Sequence, residues 1–402
     1  MMTLSFQFSE EQEVTRRIMR RFCEERIEPY AKRMFEEKML VPEVHRAAVE
    51  QGILGALIPP EYDGQGLDFI TFNVVMEEVS RADLSLIGAL ALGYNATCSL
   101  TLARYGSERL KEEVLPKIAK EGWMVAVHVT EPGCGTDFTA VKTTATKKDG
   151  KYVINGEKQF VSLVPEIMKY GGGFMVTLKT RPELGARGMS MIYVPKDSEG
   201  ITVTRFETMG IDVGGYTLNN VEVPEYCLIG GEGKGYEVTY SSFLAARVMV
   251  TTTMIGAAMR CIEIGMEYIR SREAFGRPIG AFQGIQFELA DDYAMLEAVR
   301  WMNYRAAWMV DRYIKGEVKL EDAFLAATQA KLLASKYLPR VVDHVMEWHG
   351  ALGFTTDLNL HMAYRSVRMQ GVAEGTLNAQ RIFIAAYLLG RDFLPWRWKP
   401  RR

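Results

Sequence analysis

The amino-acid sequence predicts a mainly α-helical protein with a central antiparallel β domain. Residues 1–121 and 232–402 carry long stretches with helical periodicity and few helix breakers. Residues 122–231, by contrast, are rich in Val, Thr, Gly and Tyr and are punctuated by turn signals. A chain of 402 residues is long enough for two or three domains with a sizeable core. We therefore predict a helical domain at 1–121, a β domain at 122–231 and a helical bundle at 232–402.

The first helical domain contains one stretch that could belong to either of two environments. Residues 10–37 have the amphipathic spacing of a surface helix, whereas residues 85–103 carry no charged side chain. An apolar stretch of that length could cross a membrane. Glycines, Asn95 and several Ser and Thr dilute it, and we recognise no second span of this kind. A buried core helix is therefore predicted, with no membrane span.

Two dipeptides in the β domain predict turns between strands. Asp149-Gly150 and Asn155-Gly156 each lie between β-prone runs, and such pairs favour the tight turns of β-hairpins. Farther along the chain, three segments each have the length and periodicity of one long helix, and short connections between them predict a bundle. These segments are residues 236–275, 282–316 and 320–353.

Composition and charge exclude several classes of function. The net charge of -2 gives no polycationic attraction to nucleic acid or to anionic membranes. The five cysteines are scattered and include no C-x-x-C pair, which is typical of free thiols in a reducing, cytoplasmic compartment. The histidines show no metal-ligand spacing, so no metal is assigned. No dinucleotide-binding G-x-G-x-x-G, Walker loop or G-x-S-x-G elbow is found.

Two glycine-containing motifs carry possible binding functions. In TEPGCGTD, Gly133 and Gly135 bracket a turn whose NH groups and Thr hydroxyls could bind a polar cofactor edge or phosphates. A plain solvent-exposed turn would look the same. In SREAFGRPIGAFQ, Arg272 lies near a helix end, and two Phe side chains stand beside an amide. Such a set suits a diphosphate or a flat ring, although a capping arginine in a helix-to-helix turn is the alternative.

The stretch GVAEGTLNAQ, residues 371–380, raises the question of what Glu374 does. Thr376 is a plausible N-cap of the helix that follows, and an acid before a helix N-terminus is favoured by the helix dipole. On local grounds Glu374 is therefore an ordinary helix-start acid. The preceding residues are apolar and small, however, so the carboxylate could face a dry cavity. Desolvation there would raise its pKa towards that of a general base.

Taken together, these motifs resemble the acyl-CoA dehydrogenase family over nearly the whole chain. Six of them occur in family order: TEPGCGTD, INGEKQFVS, NNVEVPEYCLIGGEGKGY, SREAFGRPIGAFQGIQFELAD, HGALGF and EGTLNAQ. The resemblance implies an N-terminal helical domain, a β-barrel-like middle domain and a C-terminal four-helix bundle. It also implies FAD, bound without a dinucleotide-binding fingerprint, and a homotetramer built as a dimer of dimers.

The resemblance also implies a set of cofactor and substrate contacts. The flavin would be lined by the end of one strand and the following turn, by a second strand end, and by the last helix. A neighbouring subunit's FAD would be met by residues of the helical bundle. The implied cofactor residues are Val127, Val129, Thr130, Gly135, Thr136, Phe160, Val161, Ser162, Arg272, Phe275, Phe282, Gln283, Glu347, Gly350, Ala351, Thr376 and Gln380. The implied substrate contacts are Thr136, Arg247 and Gly375.

The implied reaction is the α,β-dehydrogenation of an acyl-CoA with Glu374 as the catalytic base. The base removes the α-proton while the β-hydrogen leaves as hydride to flavin N5. The thioester carbonyl would be polarised by the NH of Glu374 and a flavin ribityl hydroxyl. Electrons would pass to an electron-transferring flavoprotein. An enoyl-CoA reductase or acyl-CoA oxidase on the same scaffold is the alternative, and a non-catalytic acyl-CoA-binding scaffold is the alternative from another class.

Several departures from the family pattern bear on the substrate. Ala373 stands where an aromatic residue usually precedes the base, and Phe160 replaces a Trp beside the flavin. After Ser162 the longer run LVPEIMKYGGG alters the wall near the ring, and Asp212 replaces an Arg. We expect a wider or differently shaped acyl pocket, suited to a cyclic or branched acyl group. Residues 85–103 contain no Arg to hold a distal carboxylate, which favours a neutral acyl chain.

Overall fold

A computed structural model describes residues 6–394 of the chain, with the side chain of residue 391 left aside. Its first part is a set of helices that begin at well-formed caps. Ser9 and Gln12 form a reciprocal capping box, and Asp68 and Ser107 accept hydrogen bonds from the third residue of their helices. The helices are α1 Glu10–Arg26, α2 Ala31–Glu37, α3 Pro42–Glu50, α4 Phe69–Ala82, α5 Ile87–Tyr105 and α6 Glu108–Glu121.

Helix α5 lies in the middle of this part and is buried along most of its length. The prediction of a buried core helix at 85–103 is therefore confirmed. Within residues 6–394, one helix is long and apolar enough to cross a membrane by length and composition, and it lies at Gly235–Ser271, where the sequence interpretation did not recognise it. Because 89% of its most apolar window is buried inside the protein, it resembles the core helix of a globular fold.

The middle of the chain forms one sheet with strand order β6-β7-β3-β2-β4-β5-β8, and β1 pairs with β4. The sheet is mixed. Strand β1 runs parallel to β4, and β2 also pairs with β4 in parallel, at a single residue pair. The other strand pairs of the sheet are antiparallel. Parallel neighbours need a long crossover, which β2, β3 and α7 supply between β1 and β4. The elements are β1 Met124–His128, β2 Thr144–Lys148, β3 Lys151–Val161, α7 Val164–Tyr170, β4 Gly172–Lys179, β5 Met189–Pro195, β6 Ile201–Phe206, β7 Val213–Pro224 and β8 Leu228–Ile229.

The two predicted turns have different outcomes. Asp149 and Gly150 have φ values of 49° and 77° and join β2 to β3, as a hairpin turn with two left-handed residues requires. The prediction of a turn at Asn155-Gly156 is wrong, since both residues lie inside β3. There the register with β7 shifts between Ile154 and Gly156, so the dipeptide marks a β-bulge.

The last part is a bundle in which α8, α9 and α10 pack on one another and α12 packs on α10. A two-stranded hairpin around Gly276 joins α8 to α9. Arg300 of α9 forms two hydrogen bonds of 2.8 and 2.7 Å with Glu77 of α4 and thereby ties the bundle to the first helices. The elements are α8 Gly235–Ser271, β9 Glu273–Ala274, β10 Arg277–Pro278, α9 Gln283–Ile314, α10 Leu320–Trp348, α11 Leu360–Gln370 and α12 Leu377–Leu389.

Candidate active site

Glu374 lies in the short connection between α11 and α12, in a backbone conformation that is costly for a residue with a side chain. Its φ is 56°, and the left-handed region costs about 1–2 kcal/mol for such residues. Three donors hold its carbonyl oxygen: Arg247 Nη2 at 2.9 Å, Arg247 Nε at 3.2 Å and Gln380 Nε2 at 3.0 Å. Thr376 caps α12 by accepting from Ala379, as predicted. These bonds offset the backbone strain and fix the peptide that carries the carboxylate.

Arg247 is buried in α8, directly behind the Glu374 peptide. Its Nη1 donates to Thr328 Oγ1 at 2.8 Å, and the guanidinium lies 4.2 Å from the centre of the Phe324 ring. Burial lowers the pKa of Arg247 to about 10, although the nearby Glu374 carboxylate acts in the opposite direction and raises it. The side chain therefore remains charged at neutral pH. Arg247 therefore supplies a fixed positive charge close to the carboxylate.

The Glu374 side chain is half-buried, and one of its carboxylate oxygens is closed off from water. Its Oε2 is buried and has no hydrogen-bond partner among the described residues. Burial raises the pKa of Glu374, while Arg247, a hydrogen bond from Tyr94 and the charge of Lys331 lower it, in that order. The result is a carboxylate with a raised pKa and an oxygen free to take a proton, as a general base requires.

Lys331 is a second buried cation close to this carboxylate. Its Nζ donates to Ser335 Oγ at 2.8 Å and to the Gln370 carbonyl oxygen at 2.7 Å, and so holds the end of α11. Burial, reinforced by repulsion from Arg247, lowers its pKa to about 7. The sequence interpretation missed Lys331. A signal was available, because it follows Ala323 and Ala327 at intervals of four on the buried face of α10.

Tyr94 and Cys98 connect the base to the sheet, and the sequence interpretation missed both. They lie one turn apart on α5, and burial, together with the negative charge of Glu374, raises the pKa of both side chains. The Val127 NH of β1 donates to Cys98 Sγ at 3.4 Å. Helix α5 therefore packs on β1 and joins the surroundings of Glu374 to the sheet.

The ends of β1 and β3 lie side by side. Gln159 N donates to the Thr130 carbonyl at 3.0 Å. His128 lies 2.8 Å from the Ser162 carbonyl oxygen through Nε2, and 3.0 Å from the Tyr216 hydroxyl through Nδ1. Burial lowers the pKa of His128 to about 3, which keeps the imidazole neutral. The structure thus brings together the predicted residues Val127, Val129 and Thr130 with Phe160, Val161 and Ser162.

A buried ion pair anchors the TEPGCGTD turn that follows β1. Lys158 Nζ lies 2.8 Å from Glu131 Oε1 and also donates to the carbonyls of Val129 and Thr177. The turn itself is open, since an added Cβ at Gly133 or Gly135 would meet nothing within 4 Å. Thr136 is exposed beside it. The backbone of this turn is therefore firmly anchored and accessible to a bound molecule.

The predicted residues of the bundle gather at a second place, around the C-terminal end of α8. Phe275 is 96% exposed, and its ring meets the half-buried Phe282 edge-on at 6.2 Å. The Tyr268 and His349 rings stack at 4.1 Å and so bring the end of α10 beside α8. The exposed predicted residues at this place are Arg272, Phe275, Gln283, Glu347, Gly350 and Ala351.

The arrangement defines a class of protein: a helix–sheet–helix fold in which a carboxylate of raised pKa lies between two helices of the bundle. Three family models match the chain in order, described as the N-terminal, middle and C-terminal domains of acyl-CoA dehydrogenase, over residues 9–122, 126–221 and 233–389. The chain belongs to the acyl-CoA dehydrogenase family of FAD-dependent oxidoreductases, as its motifs suggested.

Individual relatives cover almost the whole chain. The short/branched chain specific acyl-CoA dehydrogenase of Rattus norvegicus is 30% identical over 95% of this chain and 86% of its own length. An acryloyl-CoA reductase (NADH) of Anaerotignum propionicum is also 30% identical, over 97% of this chain and 98% of its own. The solved complex of glutaryl-CoA dehydrogenase with glutaryl-CoA matches with a TM-score of 0.89 and 28% identity, over 96% and 97% of the two chains.

The residues present fit FAD, the cofactor of the family. Phe160, with a φ of 54°, presents a ring that is 59% exposed at the end of β3, where a flat ring system could lie against it. The open TEPGCGTD turn offers backbone NH groups beside it. Thr376 and Gln380 both form hydrogen bonds at the loop of Glu374. Thr376 accepts from the Ala379 NH as the helix cap, and Gln380 donates to the Glu374 carbonyl oxygen. The individual FAD contacts remain predictions.

Proposed function

We propose that this protein catalyses the α,β-dehydrogenation of an acyl-CoA thioester, with Glu374 as the base that removes the α-proton. The observation that carries the proposal is the Glu374 carboxylate itself, whose Oε2 is buried and has no hydrogen-bond partner among residues 6–394, and which feels the charges of Arg247 and Lys331. Structural ion-pair networks satisfy their carboxylates, whereas a general base keeps one oxygen free for the proton that it takes.

The surrounding residues support the proton transfer in two ways. Arg247 and Gln380 bind the carbonyl oxygen of Glu374 and so hold the peptide between Glu374 and Gly375. The NH of Glu374, on the preceding peptide, is the candidate donor to the thioester oxygen. The positive charge of Arg247 favours the ionised base in a site where burial opposes it, and Lys331 adds to this effect while it is protonated, below its pKa of about 7. Bound FAD would accept the β-hydrogen as hydride.

A neutral, branched or cyclic acyl group is the proposed substrate class. Ala373 contributes only a methyl group next to the base, and it packs at the edge of the core. Helix α7, Val164–Tyr170, occupies the longer run that follows Ser162. No Arg is present in residues 85–103 to hold a distal carboxylate of the kind that glutaryl-CoA carries. The relative from Rattus norvegicus, named for short and branched chains, agrees with this class.

The deciding experiment is anaerobic reduction of the FAD-loaded protein by a panel of linear, branched, cyclic and aromatic acyl-CoAs. We expect bleaching of the flavin band, fastest with a branched or cyclic substrate, and none with Glu374→Gln. Highest activity on straight-chain substrates would refute the proposed substrate class alone. Full activity of Glu374→Gln would refute the role of Glu374.

Reduction of an enoyl-CoA is the second candidate, and the acryloyl-CoA reductase relative favours it. In that direction Glu374 would deliver the proton to the α-carbon, and a raised pKa suits an acid as well as a base. Comparing reoxidation by an electron-transferring flavoprotein, by oxygen and by an enoyl-CoA separates dehydrogenase, oxidase and reductase. We propose the electron-transferring flavoprotein as the physiological acceptor, in the cytoplasm.

A homotetramer, a dimer of dimers, is the proposed assembly. Phe275 and the other exposed residues around the C-terminal end of α8 support this assembly, since a monomer would leave them in water. Light scattering with and without FAD tests this, and a stable monomer in both states would refute it.

A further inference from the structure

The loop that carries the proposed base begins at the C-terminal end of α11. Gln370 is the last residue of that helix, and residues 371–373 lead from it to Glu374. The first two of these residues donate their NH groups back to carbonyls in the last turn of α11, at 3.2 and 3.0 Å. The position of the Gln370 peptide therefore sets where this short loop starts.

Lys331 holds the Gln370 carbonyl oxygen from a different helix. Its Nζ, on α10, donates to that oxygen at 2.7 Å and to Ser335 Oγ at 2.8 Å, and the side chain is fully buried. The last carbonyls of a helix have no partner within the helix, so this bond satisfies one of them. The helix dipole also favours a positive charge there. Lys331 is thus fixed to the point from which the base loop starts.

A buried amine is an unusual group with which to close a helix end. Desolvation opposes its charge and lowers the pKa of Lys331 to about 7. Helices α5 and α12 are closed at their C-terminal ends by the backbone NH groups of Gly106 and Gly390. Closing a helix therefore does not require a buried cation. The end that receives one is the end that leads to Glu374.

We propose that Lys331 is a positioning residue of the reaction: its bond to the Gln370 carbonyl fixes the start of the loop and so sets where the Glu374 carboxylate stands. This inference rests on the proposed function of Glu374 as the base. Arg247 and Gln380 hold the other end of the same loop through the Glu374 carbonyl. With both ends held, little reorientation of the base precedes proton transfer.

The middle of α11 is held independently of Lys331. Ser366 donates to the Ser85 carbonyl oxygen at 2.6 Å, and Thr208 Oγ1 lies 3.3 Å from Met369 Sδ. Replacing a buried charge by an apolar side chain of similar volume is often tolerated. Lys331→Met should therefore leave α11 in place and free only the start of the loop.

The first test is flavin reduction by the best acyl-CoA of the panel in FAD-loaded Lys331→Met. We expect kcat to fall about tenfold while KM changes less than about twofold, because the base is displaced and the contacts that bind substrate are kept. Such a split separates positioning from a general loss of structure. An unchanged kcat would overturn the inference.

The pH dependence of that loss separates position from charge. The charged groups that act on Lys331 are Arg247 of α8 and Glu374 of the loop. At about pH 9 the amine of the unmodified protein is uncharged and still has NH groups for both bonds. The loss in Lys331→Met should therefore persist at alkaline pH. A loss that disappears there would assign the effect to charge and overturn the inference.

Ser335→Ala is the matched control, since it removes the other partner of the same amine and leaves the bond to Gln370. Its kcat should stay within about twofold of that of the unmodified protein. Equal losses in Ser335→Ala and Lys331→Met would overturn the inference, because the bond to the loop would then not be the decisive one.

Hydrogen exchange of the substrate-free, FAD-loaded protein distinguishes failure of this inference from failure of the proposed function. The NH groups of Gly371 and Val372 should exchange about tenfold faster or more in Lys331→Met, while those of residues 363–366 keep their rates. Unchanged exchange at the loop would overturn the inference whatever the kinetics. If no acyl-CoA reduces the flavin, the proposed function fails, and the exchange rates still decide whether Lys331 holds the loop.

Discussion

The Nη2 atom of Arg247 lies 2.9 Å from the carbonyl oxygen of Glu374, although 127 residues separate the two in sequence. The arginine therefore bonds to the backbone of the proposed base, and its charge reaches the carboxylate from behind. This relationship explains how Glu374 keeps a left-handed backbone and a free Oε2 at the same time. It also indicates which substitutions separate orientation of the base from its proton affinity.

Arg247→Met removes both bonds to the Glu374 carbonyl and the bond to Thr328. We expect a loss of about 2–4 kcal/mol in unfolding free energy and a fall in kcat of more than about tenfold, because polar atoms are left buried without partners. Denaturant unfolding and flavin reduction measure the two effects. Arg260→Met, on the same helix in a half-buried pair with Glu28, is the control and should retain activity. Unchanged kcat in Arg247→Met would contradict the role.

Glu374→Gln should abolish turnover and also make the protein more stable at neutral pH. The pKa of Glu374 is raised in the folded protein. At pH values between the ordinary pKa and the raised one, the folded state therefore binds more protons than the unfolded chain. Stability therefore falls as pH rises through that window, and a neutral amide avoids the loss. Melting temperature against pH measures this, with the exposed Glu36→Gln as control. A lower melting temperature at neutral pH would contradict the burial of the charge.

Lys331→Met should reduce the gain in stability that the protein shows between neutral and alkaline pH. Burial lowers the folded-state pKa of Lys331 to about 7 from an ordinary value of 10.5, so the unfolded chain binds more protons between those values. Stability should thus rise with pH across this window in the unmodified protein. Denaturant titrations from neutral to alkaline pH should show a smaller rise in the variant. The exposed Lys336→Met should leave the slope unchanged, and equal slopes for Lys331→Met would refute the shifted pKa.

Phe275→Ala should weaken FAD retention and subunit assembly while the fold of the single chain is kept. The ring is 96% exposed, so its removal costs a monomer little packing energy. Gel filtration with FAD fluorescence measures retention, and circular dichroism reports the fold. Phe393→Ala, with a ring that is 56% exposed near the end of the described chain, serves as control. A fully assembled, FAD-saturated Phe275→Ala protein would contradict the proposed interface.

Ala373→Tyr should narrow the acyl pocket next to the base. We expect kcat/KM for branched or cyclic acyl-CoAs to fall by roughly tenfold or more, since the added ring would fill the space that Ala373 leaves for the acyl group. Short straight-chain acyl-CoAs should be affected less. Competition between the two substrate types measures the change, and Ala373→Gly controls for loop disturbance. Equal losses on both types would show that residue 373 does not set the acyl preference.

Much of the fold could be predicted from the sequence because its signals are local. Helical periodicity and β-prone runs separate along the chain, and the Asp149-Gly150 turn and the Thr376 cap depend on neighbouring residues only. Asn155-Gly156 carries the same local signal as Asp149-Gly150. Its pairing with β7 turns it into a bulge within a strand, and that pairing involves residues more than 60 positions away.

The sequence by itself determined the order of helices and strands, the cap that begins the last helix and the motifs that mark Glu374. Only the tertiary structure decided what surrounds that carboxylate. Tyr94, Arg247 and Lys331 come from three separate helices, and no local pattern links them to residue 374. Burial, charge and proton affinity depend on distances in space, because desolvation and Coulomb attraction act between neighbours whatever their separation along the chain.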